Sequence, residues 1–143
     1  MSSLFALCIS AFILCSPVRA DDILLLCNLN SASPITLSSQ QLKRIYTMKT
    51  RVWSDGTPIT VFTLQTSDPV HKLFTQKLLK TNIYQLDRIW NRLTFSGQGR
   101  PPIILDTEEE MLANLKETPG AIGYLSGEID SSKDLHPIQI REP

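Results

Sequence analysis

The chain has 143 residues, with 14 basic and 14 acidic side chains and a formal net charge of zero. This length suits a single domain with a modest hydrophobic core. Nucleic acids and anionic membrane surfaces select proteins with clustered positive charge, so a balance this close to neutral argues against both as partners.

The first twenty residues are typical of a secretory signal. An apolar run from Leu4 to Cys15 is too short to span a bilayer, and a Val-Arg-Ala sequence ending at Ala20 gives a cleavage pattern. We therefore expect a signal peptide at 1–20 and one domain at 21–143, periplasmic or secreted, without membrane insertion after cleavage. A signal peptide usually begins with positive charge, and the first three residues carry none. The alternative is therefore an uncleaved anchor.

Cleavage after Ala20 would remove Cys8 and Cys15 and leave Cys27 as the last cysteine of a 123-residue chain. No internal disulfide could then form. Since Cys27 stands in the apolar run ILLLC, a buried side chain is favoured over a reactive thiol. Arg19 is the one charged residue removed, which leaves 13 basic and 14 acidic residues.

The predicted elements begin with a strand in DILLLCNLN, whose continuous apolar character indicates burial on both faces. Pro34 and Thr36 predict a loop. Ser38 and Gln41 have the spacing of a capping box, which predicts a helix start. The core-facing residues of that helix are Leu42, Ile45 and Tyr46.

WSDGTP predicts a turn and ITVFTL a strand. A second helix follows, with Asp68 as its N-cap and Pro69 as its first residue. Thr81 and Asn82 interrupt it and predict the cap of a third helix. The apolar stripes are Val70, Leu73, Phe74 and Leu78 in the second helix, and Leu86, Ile89, Trp90 and Leu93 in the third.

FSGQGRPP predicts an irregular segment and IIL a short strand. Thr107 and Glu110 form a second capping box, which opens a helix that buries Met111, Leu112 and Leu115. AIGYL predicts another strand, and HPIQI an edge strand because Pro137 cannot donate to a ladder. Alternating strands and helices predict an α/β domain with a mainly parallel sheet flanked by helices.

Catalytic constellations are absent from the sequence. His71 and His136 are far apart, neither has a metal-ligand spacing, and both are predicted to be solvated. The acidic run Glu108–Glu110 falls in the first turn of a helix, so interaction with the helix dipole is favoured over an acid/base pair or a calcium site. We therefore expect no enzymatic activity, no metal and no cofactor.

Three aromatic residues, Trp53, Trp90 and Phe95, offer either a binding platform or core packing. Two of them adjoin helix stripes, so core packing is favoured.

Two segments have features of an anion site. In TLQTSDPVHKLF a strand leads into a helix, where free backbone N–H groups and the helix dipole attract anions, so Thr66 and Ser67 are candidates. In FSGQGRPP the glycines would let the backbone approach a ligand, and Arg100 adds a charged fork of donors. The candidates there are Ser96, Gly97 and Arg100.

Three segments, LSSQQLKRIYTMKTRVWSDGTPITVF, FSGQGRPP and TPGAIGYL, resemble the periplasmic substrate-binding proteins of phosphate ABC transporters, most nearly their small single-lobe members. The resemblance covers about Ile23 to Ile140, and Gly120 to Tyr124 match the family pattern outright. The other matching positions are Leu37, Leu42, Ile45, Tyr46, Met48, Lys49, Trp53 and Ser54.

This resemblance implies a single lobe of the type II periplasmic-binding-protein-like fold. It also implies a small anion such as phosphate as ligand, and an envelope protein or transporter as partner. Large members close two lobes on phosphate, and one lobe holds the anion with an Arg and a Ser-Gly-Thr at a helix start. In this sequence Leu64 occupies the position of the Arg, and Asp68, Pro69 and Val70 occupy the positions of the Ser-Gly-Thr. Shifting the alignment by one residue would match only Ser67 to the family pattern.

Two functions remain open at this point. The first is an exported, non-enzymatic solute-binding domain whose ligand binding is weak or altered. The second is an interaction or structural protein of the envelope that kept the lobe and lost ligand binding.

Overall fold

A computed structural model describes residues 23–127 and 134–142, so the signal peptide predicted at 1–20 lies outside the described residues. The strands are β1 (Ile23–Cys27), β2 (Ile35–Ser38), β3 (Thr60–Leu64), β4 (Ile103–Leu105), β5 (Ala121–Ser126) and β6 (His136–Arg141). The helices are α1 (Ser39–Tyr46), α2 (Pro69–Lys77), α3 (Ile83–Ser96) and α4 (Glu108–Glu117).

The six strands form one sheet in the order β2-β6-β1-β5-β3-β4. Three of the five neighbouring pairs are parallel, namely β2 with β6, β3 with β4 and β3 with β5. The strand β1 runs antiparallel to both of its neighbours, β5 and β6. The prediction of an α/β domain with a mainly parallel sheet is confirmed.

Two strand predictions were wrong. The segment predicted as a loop around Thr36 contains the short edge strand β2, and β6, predicted as an edge strand, lies between β2 and β1. The proline is tolerated because the ladder with β2 starts one residue later, where Ile35 is paired with Ile138. Pro137 is paired only with Leu26 of β1, near the start of its strand.

The four predicted helix starts are confirmed with their capping residues. Ser38 accepts a hydrogen bond from the Gln41 N–H at 3.1 Å, and the Gln41 side chain accepts one from the Ser38 N–H at 2.8 Å. Asp68, Asn82 and Thr107 cap α2, α3 and α4 through their side-chain oxygens. Local side-chain chemistry therefore sets where each helix begins.

The core centres on stacked aromatic rings between the sheet and the helices. Phe74 of α2 stacks on Tyr124 of β5 with ring centroids 3.8 Å apart, and Tyr46 of α1 meets Phe74 edge-on at 4.8 Å. Trp90 donates its indole N–H to the Tyr46 carbonyl oxygen at 2.8 Å. Cys27 is buried as predicted, and burial raises the pKa of its thiol to about 12.

Core packing was predicted for three aromatics and is confirmed for Trp53 and Trp90. The prediction was wrong for Phe95, whose side chain is 88% exposed. Phe95 follows Trp90 by five residues, and at 3.6 residues per turn this places it on the outer side of α3. None of the helices in the described ranges is long and apolar enough to cross a membrane.

The start of β5 packs tightly against the turn before β3. Gly120 has a φ of +79°, and a Cβ atom there would lie 2.3 Å from the carbonyl oxygen of Pro58. The Gly120 carbonyl oxygen also accepts the indole N–H of Trp53 at 2.9 Å. This glycine is therefore required for both its backbone conformation and its small volume.

We expect Gly120→Ala to destabilise the domain more than Gly56→Ala. Gly56 has a similar φ of +87°, but nothing lies within 4 Å of the position of its Cβ. The control therefore carries only the left-handed backbone penalty of about 1–2 kcal/mol, and Gly120→Ala adds a steric clash. Urea denaturation of both variants measures the difference, and equal losses would contradict the close approach.

Candidate functional site

The candidate site lies at the sheet edge where the parallel strands β3, β4 and β5 end. The loop from Gln65 to Asp68 leads into α2, and Asp106 and Thr107 lead into α4. Two helix N-termini therefore come to the same edge as the last residue of β5, Ser126. In α/β proteins, this edge is where ligands commonly bind.

The start of α2 is closed by its own side chain. A carboxylate oxygen of Asp68 accepts a hydrogen bond from the Val70 N–H at 2.8 Å. Pro69, the first helical residue, has no N–H to offer. Of the first two residues of this helix, one therefore has no N–H and the other has its N–H already bound to Asp68.

The start of α4 is closed in the same way. Thr107 accepts a hydrogen bond from the Glu110 N–H at 3.1 Å, and the Glu110 carboxylate accepts one from the Asp106 N–H at 3.0 Å. The Glu108 carboxylate accepts two further bonds from Ser126, one from its N–H at 2.8 Å and one from its hydroxyl at 2.7 Å. Glu108 thus links the start of α4 to the end of β5. Its position in the first turn of the helix is also favourable for interaction with the helix dipole.

An open groove of about 590 Å³ lies between these helix starts. It carries the carboxylates of Asp68, Asp106, Glu108 and Glu109, and its other lining residues are Thr107, Leu112 and Ser126. Among the described residues that line it there is no Lys or Arg. The groove therefore presents negative charge, which opposes the binding of an anion.

A buried polar cluster lies beside this edge. The Tyr124 hydroxyl is 2.6 Å from Nδ1 of His71 and 3.0 Å from the Thr63 hydroxyl, and it accepts a hydrogen bond from the Leu64 N–H at 2.9 Å. Burial raises the pKa of Tyr124, so the phenol stays protonated. The cluster fixes the end of β3 to both α2 and β5.

The prediction that His71 is solvated was wrong. Its side chain is fully buried, with its ring 6.0 Å from Trp90 and 6.1 Å from Tyr124 between ring centroids. The buried residues of α2 are His71, Phe74 and Thr75, while Val70, Leu73 and Leu78 of the predicted stripe are only partly covered. The helix is therefore turned so that its polar His71 contacts the polar atoms of β3 and β5.

The sequence-predicted binding residues fall into two separate groups. Thr66 and Ser67 follow the end of β3, and the Thr66 hydroxyl donates to Asp87 of α3 at 3.2 Å. Ser96, Gly97 and Arg100 precede β4, at the edge where the parallel strands β3 and β4 begin. The structure does not bring the two groups together, and ligand binding by either group stays a prediction.

The segment that contains the second group has two glycines, Gly97 and Gly99. Gly97 ends α3 in the left-handed conformation, with a φ of +66°. A Cβ atom on Gly99 would lie 2.7 Å from Nη2 of Arg51, whose guanidinium donates to the Gln98 carbonyl oxygen at 3.1 Å. Because Nη2 is the far end of a flexible, exposed side chain that can move aside, this contact does not require a glycine at position 99.

Sequence reasoning missed the acidic groove and the buried His71–Tyr124 pair. A usable signal for the groove was present, because the carboxyl ends of parallel strands meet at one edge and Glu108–Glu110 directly follow such an end. The described residues contain no group of three or more His, Cys, Asp or Glu side chains placed to hold a metal ion.

Comparisons with known proteins agree on the fold. A family model described as a PBP superfamily domain matches residues 5–136. PstS from Borrelia burgdorferi is 11% identical with a TM-score of 0.60, over 83% of this chain and 47% of that chain. A phosphate transport receptor from Vibrio cholerae is 17% identical with a TM-score of 0.59, over 82% of this chain and 45% of that chain.

A protein from Clostridium perfringens, described as a phosphate ABC transporter substrate-binding protein and solved with bound phosphate, gives 20% identity and a TM-score of 0.61 over 82% and 44% of the two chains. This chain thus spans less than half the length of these structural neighbours. No curated protein matches it.

The burial of His71 predicts a loss of stability in acid. Burial holds the pKa of His71 below its usual value of 6.5, against the weaker opposing effect of the Asp87 and Asp68 carboxylates. A protonated ring carries an N–H on both nitrogens, and Nε2 has no partner within the described residues, so one N–H of the buried cation would be unpaired. Because the unfolded chain binds this proton first, stability falls as pH drops below about 6.5 towards the folded pKa.

Urea denaturation at a series of pH values tests this. In His71→Leu the acid-side slope, up to about 1.4 kcal/mol per pH unit, should disappear. His136→Gln is the matched control, since His136 lies outside the buried cluster. An unchanged slope in His71→Leu would refute the assignment.

Proposed function

Because the chain belongs to the PBP superfamily, we propose that it is an exported, non-enzymatic solute-binding domain of the phosphate-transporter type whose anion binding is weak or altered. The observation that carries this proposal is the acidic groove at the starts of α2 and α4. A solute-binding fold is retained there, while four carboxylates line the groove.

Electrostatics weigh against tight phosphate binding at this edge. Two unit charges about 4 Å apart repel by about 1–4 kcal/mol, depending on the local dielectric. The groove holds four carboxylates, and the N–H of Val70 is already occupied by Asp68. Phosphate would have to displace that cap and also approach like charge.

A second candidate function is an envelope interaction protein that kept the lobe and lost the ligand. Exposed apolar side chains favour it, because the adjacent residues Ile103 and Ile104 of β4 are 50% and 58% exposed. Exposed apolar groups that lie together commonly mark an interaction surface.

Calorimetric titration with phosphate, sulfate and a panel of small anions separates the two candidates. We expect no micromolar phosphate affinity in the wild type. Asp68→Asn removes a charge but keeps a capping oxygen, so it should raise phosphate affinity several-fold, whereas Asp68→Ala also removes the cap. Weak binding that strengthens in Asp68→Asn supports an altered solute-binding domain, and no binding of any anion by either variant supports the interaction protein.

Micromolar phosphate affinity in the wild type would overturn the proposal of weak binding. Loss of that affinity in Asp68→Ala would further show that Asp68 assists the anion rather than repelling it.

Export predicts a processed N-terminus. Protein recovered from the envelope or the medium should begin at Asp21, as measured by intact mass and N-terminal sequencing. Ala20→Arg should block processing because a small residue is needed before the cleavage point, whereas Arg19→Lys should not. Recovery of membrane-associated protein that still begins at Met1 would support the uncleaved anchor instead.

A further inference from the structure

The strand β4 forms one edge of the sheet and is apolar on both faces. Ile103 and Ile104 are 50% and 58% exposed, and neighbouring residues of a strand point to opposite faces. The edge therefore combines unpaired backbone groups with uncovered apolar side chains.

Native proteins protect such edges with charges, prolines or coverage. Pro101 and Pro102 protect only the approach to β4, and none of its three residues is charged. The opposite edge strand, β2, differs because its apolar residues Ile35 and Leu37 are partly buried. An exposed apolar edge of this kind is a template for pairing with another strand.

The charges that flank β4 determine which strand fits. In the sequence RPPIILD, the basic Arg100 precedes the strand and the acidic Asp106 follows it. We propose that β4 pairs antiparallel with β4 of a second copy of this chain, about a two-fold axis at Ile104. This register sets Ile103 opposite Leu105 and Pro102 opposite Asp106.

Within this register the charges are complementary between the copies. Arg100 of one copy becomes a diagonal neighbour of Asp106 of the other, at a spacing of about 7–8 Å that a long side chain can bridge. In residues 23–127 and 134–142 the Arg100 side chain makes no hydrogen bond or ion pair. Asp106 lines the acidic groove, so each copy would bring a cation to the groove of the other.

The shortness of β4 limits the strength of this association. Three residues on each strand provide few backbone hydrogen bonds, and the apolar contribution comes from Ile103 and Ile104 of each copy. The dimer is therefore expected to be weak, to depend on protein concentration, and to weaken with salt.

Cross-linking tests the two-fold axis directly. Directly opposed residues of antiparallel strands have Cα atoms about 4.5–5.5 Å apart, which suits a disulfide. Ile104→Cys should therefore form a disulfide-linked dimer under mild oxidation. Val52→Cys is the matched control, because Val52 is 54% exposed but lies outside β4, and Cys27 is buried in both variants. Equal cross-linking of the two variants would overturn the proposal.

Charge reversal tests the register. Sedimentation of the purified protein over a wide concentration range should show a monomer–dimer equilibrium. Arg100→Asp or Asp106→Arg should each weaken the dimer about tenfold, since each breaks two symmetric ion pairs. The combined variant restores both pairs and should recover dimerisation, while thermal unfolding checks that each variant is folded.

Three results would count against the self-pairing. They are a monomer at all accessible concentrations, a dimer that resists Ile104→Lys, and a combined variant no better than its parents. Since phosphate affinity plays no part in these measurements, they can fail without affecting the proposed function.

Discussion

The backbone N–H groups at a helix start need acceptors, because the helix itself offers them none. In this protein two of the acceptors at the candidate site are Asp68 and Thr107, side chains of the same chain. A solute-binding protein that used these positions for an anion would have to leave the donors free. At each of these two helix starts, a side chain of the same chain therefore occupies one donor that an anion could otherwise use.

The polar groups around this edge are also joined to one another. Glu108 holds Ser126, the Gln65 side-chain amide donates to Asp106, and Tyr124 accepts the Leu64 N–H while contacting His71. Each contact links an element that could carry a ligand to another part of the same edge. These internal contacts therefore hold the loops and helix starts at this edge to one another.

Sequence reasoning succeeded where the cause is local. Capping residues such as Ser38 and Asp68 act within three residues, so their spacing was sufficient to place the helix starts. It failed where the cause is distant in sequence, because β2 exists only through its pairing with β6, about a hundred residues later. Likewise, the sequence predicted an exposed His71, because its buried partner Tyr124 lies 53 residues away in the chain. The groove could not be predicted from any single segment, because it forms only where the three strands β3, β4 and β5 end side by side in the sheet.

The distribution of charge relates the acidic groove, at the ends of β3, β4 and β5, to β4 as an edge strand of the sheet. The chain has equal numbers of acidic and basic residues, yet the groove concentrates carboxylates, and none of the described residues that line it is basic. Within one molecule Arg100 and Asp106 stand at opposite ends of β4, about 20 Å apart if the six intervening steps are extended. No motion of a side chain can join them across that distance. Antiparallel pairing of two copies brings them together twice, so two charges that are too far apart to form an ion pair within one molecule become complementary in the dimer.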